Sequence, residues 1–257
     1  MRTSTAIFVT ALAFVVTGVT GVAGAATPPA GTQDRGGLVY RYYAGAGYRF
    51  QPLLSFANLQ HAVSRRDAST ARRLARALLD RGVPVGAALY WPYDFSFGGG
   101  PSSWTSGFTQ AVAANALARA GVLLRDDTLE TAAGRAFAGL RRTLLLPMAG
   151  GGLWIREYSY TGQVILNAQL ESVLELDSYA SIARTASART VARVLAQTSA
   201  RLLPQFDLGC WGRYQLGGAA ADTHYEAYHV DLLRRLAATH RERIWHDTYL
   251  RWNRCLR

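Results

Sequence analysis

Apolar residues at helical spacing recur along this chain in four successive pairs of segments, the pairs starting roughly 55 to 60 residues apart. Pro52 to Ser64 carries Leu53, Leu54, Phe56, Ala57, Leu59 and Val63, and Asp67 or Ser69 can cap a second segment through Leu74, Ala75, Leu78 and Leu79 that stops at Gly82. Ser106 opens a third segment to about Leu123, and Asp126 or Asp127 caps a fourth through about Leu145, ended by Pro147 and the following glycines. Gln163 to Leu176 and Ser181 to Leu203, closed by Pro204, form the third pair. Thr223 to Ala238 and Glu242 to Cys255 form the fourth.

Connections within each pair are short: Arg65-Arg66, Leu124-Arg125, Asp177-Ser178 and Thr239-His240. Those between pairs are long, Gly-rich and aromatic: Tyr90 to Trp104, Gly150 to Gly162 and Gly209 to Thr223. A fixed period with this alternation predicts stacked helical hairpins. Closed on itself, the stack is an all-α (α/α) barrel or toroid of about four hairpins whose long connections emerge at one end around a common cleft. Only Trp154 to Tyr158 and Trp211 to Leu216 read as strands, forming short hairpins inside the long loops.

The N-terminus carries a different signal. Arg2 precedes an apolar run from Ala6 to about Val22, followed by Ala23, Gly24, Ala25 and Ala26, the order of a cleavable export signal. A run of this length also fits an uncleaved anchor. No later stretch is apolar enough to span a membrane. Thr27 to Gly37, rich in Pro, Gly and Thr, reads as a flexible lead-in. The expected layout is a signal peptide over residues 1–26, a lead-in over 27–40 and the toroid over 41–257, in a secreted or cell-envelope protein. Export makes one disulfide between Cys210 and Cys255 the favoured pairing, with two unpaired thiols as the alternative.

The formal charge of +11 comes entirely from arginine. Such an excess favours an acidic partner, although paired arginines such as Arg72-Arg73 and Arg234-Arg235 also fit solvated helix faces. Nucleic acid is a poor candidate, because export removes the chain from it and no recognition motif appears. No phosphate loop or nicotinamide fingerprint is present, and the five histidines show no ligand spacing, so neither cofactor nor metal is expected.

The long connections hold the chemistry. Tyr90, Trp91, Tyr93, Asp94 and Trp104 lie in the first, and Trp154, Arg156, Glu157, Tyr158 and Tyr160 in the second. Trp211, Arg213 and Tyr214 lie in the third, with His224, Tyr225, Glu226, Tyr228 and His229 just beyond. Aromatic faces suit sugar rings, and arginine matches carboxylate geometry. Arg156 and Arg213 therefore read as anion clamps, with ordinary ion pairs as the alternative.

From about Tyr48 onward these residues resemble the C-terminal helical domain of the D-glucuronyl C5-epimerases. Tyr48-Arg49-Phe50-Gln51-Pro52 resembles the opening helix, and Trp104, Ser106 and Gln110 match a W-x-S-x-x-x-Q element. Trp154-x-x-Glu157-Tyr158 resembles W-x-E-E-Y, with Arg156 in place of the first Glu and Asn167 where the family has Asn. Leu203-Pro204, Asp207, Gly209 and Tyr214 resemble L-P-x-x-D-x-G and its following Tyr. Tyr225-x-x-x-His229 resembles Y-H-T-T-H, with Glu226 replacing the first His. The resemblance implies a toroid acting on glucuronate units of an acidic polysaccharide, possible as a homodimer, with Glu157 and Tyr225 as opposed acid and base. Tyr158 and Tyr214 would bind or neutralise the substrate carboxylate. Tyr93, Trp104, Trp154, Asn167 and His229 would complete the binding surface beside Arg156 and Arg213. A phenol titrates near pH 10, and an adjacent arginine is expected to lower it enough to act as a base. A polysaccharide lyase sharing the first proton abstraction, a non-catalytic glycan-binding envelope protein, and a glycoside hydrolase using Asp94, Glu157 and Glu226 remain the competing readings.

Overall fold

The computed structural model describes residues 32–256; the expected export signal lies outside them. Eight helices form four hairpins: α1 (Pro52–Ser64) with α2 (Ala68–Asp80), α3 (Gly107–Leu124) with α4 (Asp127–Thr143), α5 (Leu166–Ala183) with α6 (Ala186–Phe206), and α7 (Thr223–Thr239) with α8 (Arg243–Cys255). Helices α1, α3 and α5 are buried on nearly every face, whereas α2, α4 and α6 bury a single stripe. That contrast sorts them into inner and outer rings, since a helix apolar all round needs neighbours on all sides. The inner helices pack in chain order, α1 on α3, α3 on α5 and α5 on α7, and each outer helix leans on its own hairpin partner. The architecture is an α/α toroid, as the repeat predicts.

Buried glutamines fix the rings at equivalent places. Gln110 on α3 donates to the carbonyls of Leu89 (2.8 Å) and Ala136 (3.0 Å). One repeat later, Gln169 on α5 accepts from Ile155 N–H (2.7 Å) and donates to Leu195 O (3.1 Å). Each ties an inner helix to its outer partner or neighbour and to a strand pair in the loop above, so the loops are held against the ring.

The tight turns within hairpins use left-handed arginines, Arg66 (φ 56°), Arg125 (φ 53°) and Arg184 (φ 51°). The third of these corrects the expected break at Asp177-Ser178. Helix α5 runs through both residues to Ala183, and Thr185 caps α6 by accepting from Ala188 N–H. Asp177 instead pairs with His240 (2.8 Å) and Tyr179 packs against Phe137, so tertiary contacts hold a stretch that local polarity disfavours. Pro204 likewise sits inside α6, whose last turn is anchored by Phe206 stacked on Trp154. Helix α4 ends at Thr143, short of the expected boundary, because Leu145 already belongs to a strand.

Strand content is small. β1 (Thr32–Arg35), β2 (Leu38–Tyr43) and β3 (Gly47–Phe50) form an antiparallel sheet ahead of α1. This replaces the expected flexible lead-in over 27–40 for its described part. Gly36 (φ 66°) and Gly37 (φ 95°) make a two-residue hairpin turn, where both positive φ values suit the strand twist. β4 (Val83–Val85) pairs with β5 (Ala88–Tyr90), and β6 (Leu145–Pro147) with β7 (Leu153–Ile155). The expected strand at Trp211 to Leu216 is reduced to isolated bridges, Gly212 with Asp207, Arg213 with Ala220 and Gln215 with Ile165. Cys210 and Cys255 form a disulfide that ties this loop to α8. Among the described residues no helix is long and apolar enough to cross a membrane.

Candidate active site

The N-termini of α1, α3, α5 and α7 point to one end of the ring, and the β1–β3 sheet and the three long connections gather there. A cavity of about 330 Å³ opens among them, lined by residues that include Tyr43, Tyr93, Phe97, Trp104, Glu157 and Tyr158.

Glu157 and Tyr158 owe their placement to a backbone clamp. Strand β7 continues into Arg156, whose N–H donates to Leu144 O (2.9 Å) and whose carbonyl accepts from Gly107 N–H (2.8 Å). Beyond the pair, Ser159 N–H donates to Thr105 O (2.9 Å), and Ser159 Oγ accepts from Thr105 N–H (3.1 Å). The Glu157-Tyr158 pair is therefore pinned on both sides to the entry of α3.

Glu157 is 4% exposed. Burial pushes its carboxyl up to about 8, with the Tyr158 hydroxyl pulling the other way. Its Oε2 has no hydrogen-bond partner among the described residues. Tyr214 enters from the loop before α7, fixed where Leu166 N–H donates to its carbonyl (3.0 Å). Tyr225 stands on the first turn of α7, its N–H capped by Asp222 (2.8 Å). The Tyr214 and Tyr225 rings lie 4.6 Å apart, and the negative charge of Glu157 reaches both. The four residues drawn from three separate segments thus form one cluster. Glu157 and Tyr158 belong also to the cavity wall, while Tyr214 and Tyr225 adjoin them without lining it.

The phenols depart from the expected direction. Burial, reinforced by Glu157, raises Tyr158 and Tyr214 beyond the ordinary phenol range, and Tyr225 is pushed up to about 12 by the same two causes. The Tyr214 hydroxyl and Arg41 pull Tyr225 back, but burial wins. These phenols are neutral hydrogen donors at ordinary pH, not phenolate bases. Glu157, close to neutrality, is the group matched to proton removal.

Tyr93 and Trp104 line the cavity with rings stacked at 4.0 Å and 3°. Their polar atoms are committed inside: Tyr93 Oη bonds Gln51 Oε1 (3.0 Å) and Thr109 Oγ1 (2.9 Å), and Trp104 Nε1 donates to Phe95 O (2.9 Å). Trp154 does not reach the cavity. It is fully buried, stacks on Phe206 and donates to Ile165 O (3.1 Å), so its face serves the core rather than a sugar. Neither expected clamp lines the cavity: Arg156 donates to Thr161 O (3.4 Å) and Arg213 to Gly218 O, each within its own loop.

Asn167, on the first turn of α5, is fully buried with neither amide atom hydrogen-bonded among the described residues. His229 lies one turn below Tyr225, buried, with Nδ1 3.6 Å from Glu226 Oε2. Glu226 accepts from Gly212 N–H (3.0 Å), a loop-holding role, and Asp94 is exposed. Three lining residues escape the sequence reading: Tyr43 on β2, and Phe95 and Phe97 beside the triple glycine. Their alternation with polar neighbours was the available signal. No group of His, Cys, Asp or Glu among the described residues is arranged to hold a metal ion.

A toroid with a carboxyl and several phenols at one rim is the arrangement of a carbohydrate-active protein. The chain belongs to the family described as D-glucuronyl C5-epimerase C-terminus, whose model matches residues 86–254; this family is a carbohydrate epimerase domain. No curated protein matches it in sequence. Among solved structures it is similar to an endoglucanase of glycosyl hydrolase family 8 from Klebsiella pneumoniae, with 15% identity over 79% of this chain and 73% of that one and a TM-score of 0.56. It is also similar to an endo-β-1,4-glucanase from Acetobacter xylinum, with 11% identity, 80% and 72% coverage and a TM-score of 0.54. At such identities the likeness concerns the fold alone.

Proposed function

We propose that this protein is a uronate C5-epimerase acting on glucuronate units within an acidic polysaccharide. The observation that carries this reading is the meeting of the buried Glu157 carboxyl with the neutral Tyr225 phenol in one cluster.

The C5 hydrogen of a uronate is α to a carboxylate, so it is weakly acidic and its loss adds charge to a group already negative. In the proposed reaction ionised Glu157 takes the C5 proton, and the C–H electrons pass into the carboxylate to give an enediolate. The Tyr225 hydroxyl then delivers its proton to the opposite face of C5, inverting it. Tyr225 is left as a phenolate and Glu157 as an acid; proton exchange with solvent resets both. Tyr158 and Tyr214, held neutral, can donate hydrogen bonds to the enediolate oxygens. Asn167, with both amide atoms uncommitted to the described residues, can add another. Tyr93 and Trp104 supply an apolar wall for the sugar ring. The net charge of +11 suits a polyanionic substrate.

Incubating glucuronate-containing polymers with the protein in heavy water tests the reaction. Deuterium at C5 with polymer length unchanged is the expected result. Chain cleavage with a new ultraviolet absorbance from an unsaturated sugar would assign a lyase instead, and the absence of any label would remove the enzymatic reading.

A further inference from the structure

We propose that Arg41, on strand β2, is the cation that binds the substrate carboxylate in this cleft, an inference that rests on the epimerase reading above. An enediolate in a buried site already holding Glu157 needs a positive partner, because desolvated like charges are costly. The two arginines that the sequence offered are turned to carbonyls of Thr161 and Gly218 and lie off the cavity.

Strand geometry brings Arg41 to the right place. Side chains two apart on a strand share a face and lie about 7 Å from one another. Arg41 therefore shares a face with Tyr43, whose ring lies 4.2 Å from Phe95 and whose hydroxyl accepts from Gln51 Nε2 (3.1 Å) on the cavity wall. Across the sheet Arg41 is paired with Arg49, but Arg49 is tied locally to Ala46 O (2.9 Å). The Arg41 charge acts on both Tyr43 and Tyr225, so the guanidinium stands within reach of the wall on one side and of α7 on the other. Arg41 is half-buried and its Nη1 is shielded from solvent, which strengthens its field. It lies before the stretch that the family model matches, residues 86–254, and so belongs to this chain's own N-terminal sheet.

The test compares wild type, Arg41→Gln and Arg41→Lys on an oligomer of 1,4-linked glucuronate and on its methyl ester. Binding is measured by calorimetry and C5 exchange by NMR in heavy water. Wild type is expected to bind the acid more tightly than the ester. Arg41→Gln should level that preference and lose on the order of 100-fold in kcat/KM, with Arg41→Lys recovering part of both. Arg41→Gln retaining the wild-type preference overturns the proposal, as does a wild type with no preference. Should Arg41→Gln fail to fold by circular dichroism, Arg41→Lys decides alone: unchanged exchange and binding overturn the proposal, and a loss of roughly tenfold or more at unchanged Tm supports it, since an ammonium cannot reproduce bidentate geometry. The two readings separate cleanly. C5 exchange by wild type with an unaltered Arg41→Gln removes Arg41 alone, whereas an acid preference lost in Arg41→Gln without C5 exchange in wild type keeps the carboxylate site and removes the epimerase.

Discussion

The carbonyl of Arg156 accepts the backbone N–H of Gly107 at 2.8 Å, and the Cα of that glycine has no room for a substituent. A Cβ there would stand 2.7 Å from Arg156 O and 2.9 Å from Leu144 O, both rigid backbone atoms. Gly107→Ala should therefore push the Glu157 segment away from α3. The expected cost is about 1–3 kcal/mol of stability, together with a fall in C5 exchange larger than the fall in folded fraction. Thermal melting and the exchange assay, run on the same preparation, check the pair.

Glu157 links activity and stability to pH in opposite senses. Its folded value of about 8 lies above the ordinary carboxyl value of 4.5, so between these limits the folded state binds more protons than the unfolded state. Stability is then fully present below the lower value and declines as pH rises through the upper one. Glu171, raised to about 8 by burial and by Glu175, adds to the same slope. Urea midpoints should be higher at pH 5 than at pH 8, and Glu157→Gln should flatten the difference.

Proton removal follows the other direction. A general base must be ionised, so kcat/KM should climb with pH to a plateau above about 8, where Glu157 has lost its proton. Tyr225 remains protonated up to about 12 and sets no limit in the working range. Glu157→Gln and Tyr225→Phe should each abolish C5 labelling at unchanged circular dichroism. Full labelling by both variants would refute their assignment.

The disulfide between Cys210 and Cys255 spans 45 residues. Closing a loop of that length is worth about 4 kcal/mol in the chain-entropy account. Replacing both cysteines with serine should lower the thermal midpoint by several degrees, and a reductant should do the same to wild type while leaving the double variant unmoved.

Trp154 separates packing from recognition. Its truncation to alanine should cost about 3–5 kcal/mol, as for other buried aromatics. Trp154→Phe should keep KM for the polymer while lowering the melting temperature. A raised KM at unchanged stability would return this side chain to the sugar-binding surface.

The hairpins were legible because burial on inner helices leaves a periodic apolar signal, and because the turns at Arg65-Arg66 and Leu124-Arg125 interrupt it. The turn at Arg184 was not, since Asp177-Ser178 looks like a break until His240 and Phe137 are seen against it. The β1–β3 sheet hid behind Gly36-Gly37, a dipeptide that reads equally as linker or hairpin turn. Within the site, the clustering of Glu157, Tyr158, Tyr214 and Tyr225 followed from residue type and loop length. Arg156 and Arg213 misled because the carbonyls that hold them lie in their own loops, and no sequence pattern announces such a bond. Phenol acidity misled for a related reason: burial outweighs a single guanidinium, and burial is a property of the assembled ring.

Four chain segments supply the rim: β2 brings Tyr43, the link from α4 to α5 brings Glu157 and Tyr158, the link from α6 to α7 brings Tyr214, and α7 brings Tyr225. A partly folded intermediate with two or three hairpins in place therefore owns pieces of the cluster but no working whole. Appearance of turnover during refolding should lag behind helix formation and coincide with the docking of the last hairpin, making the reaction itself a reporter of completed assembly.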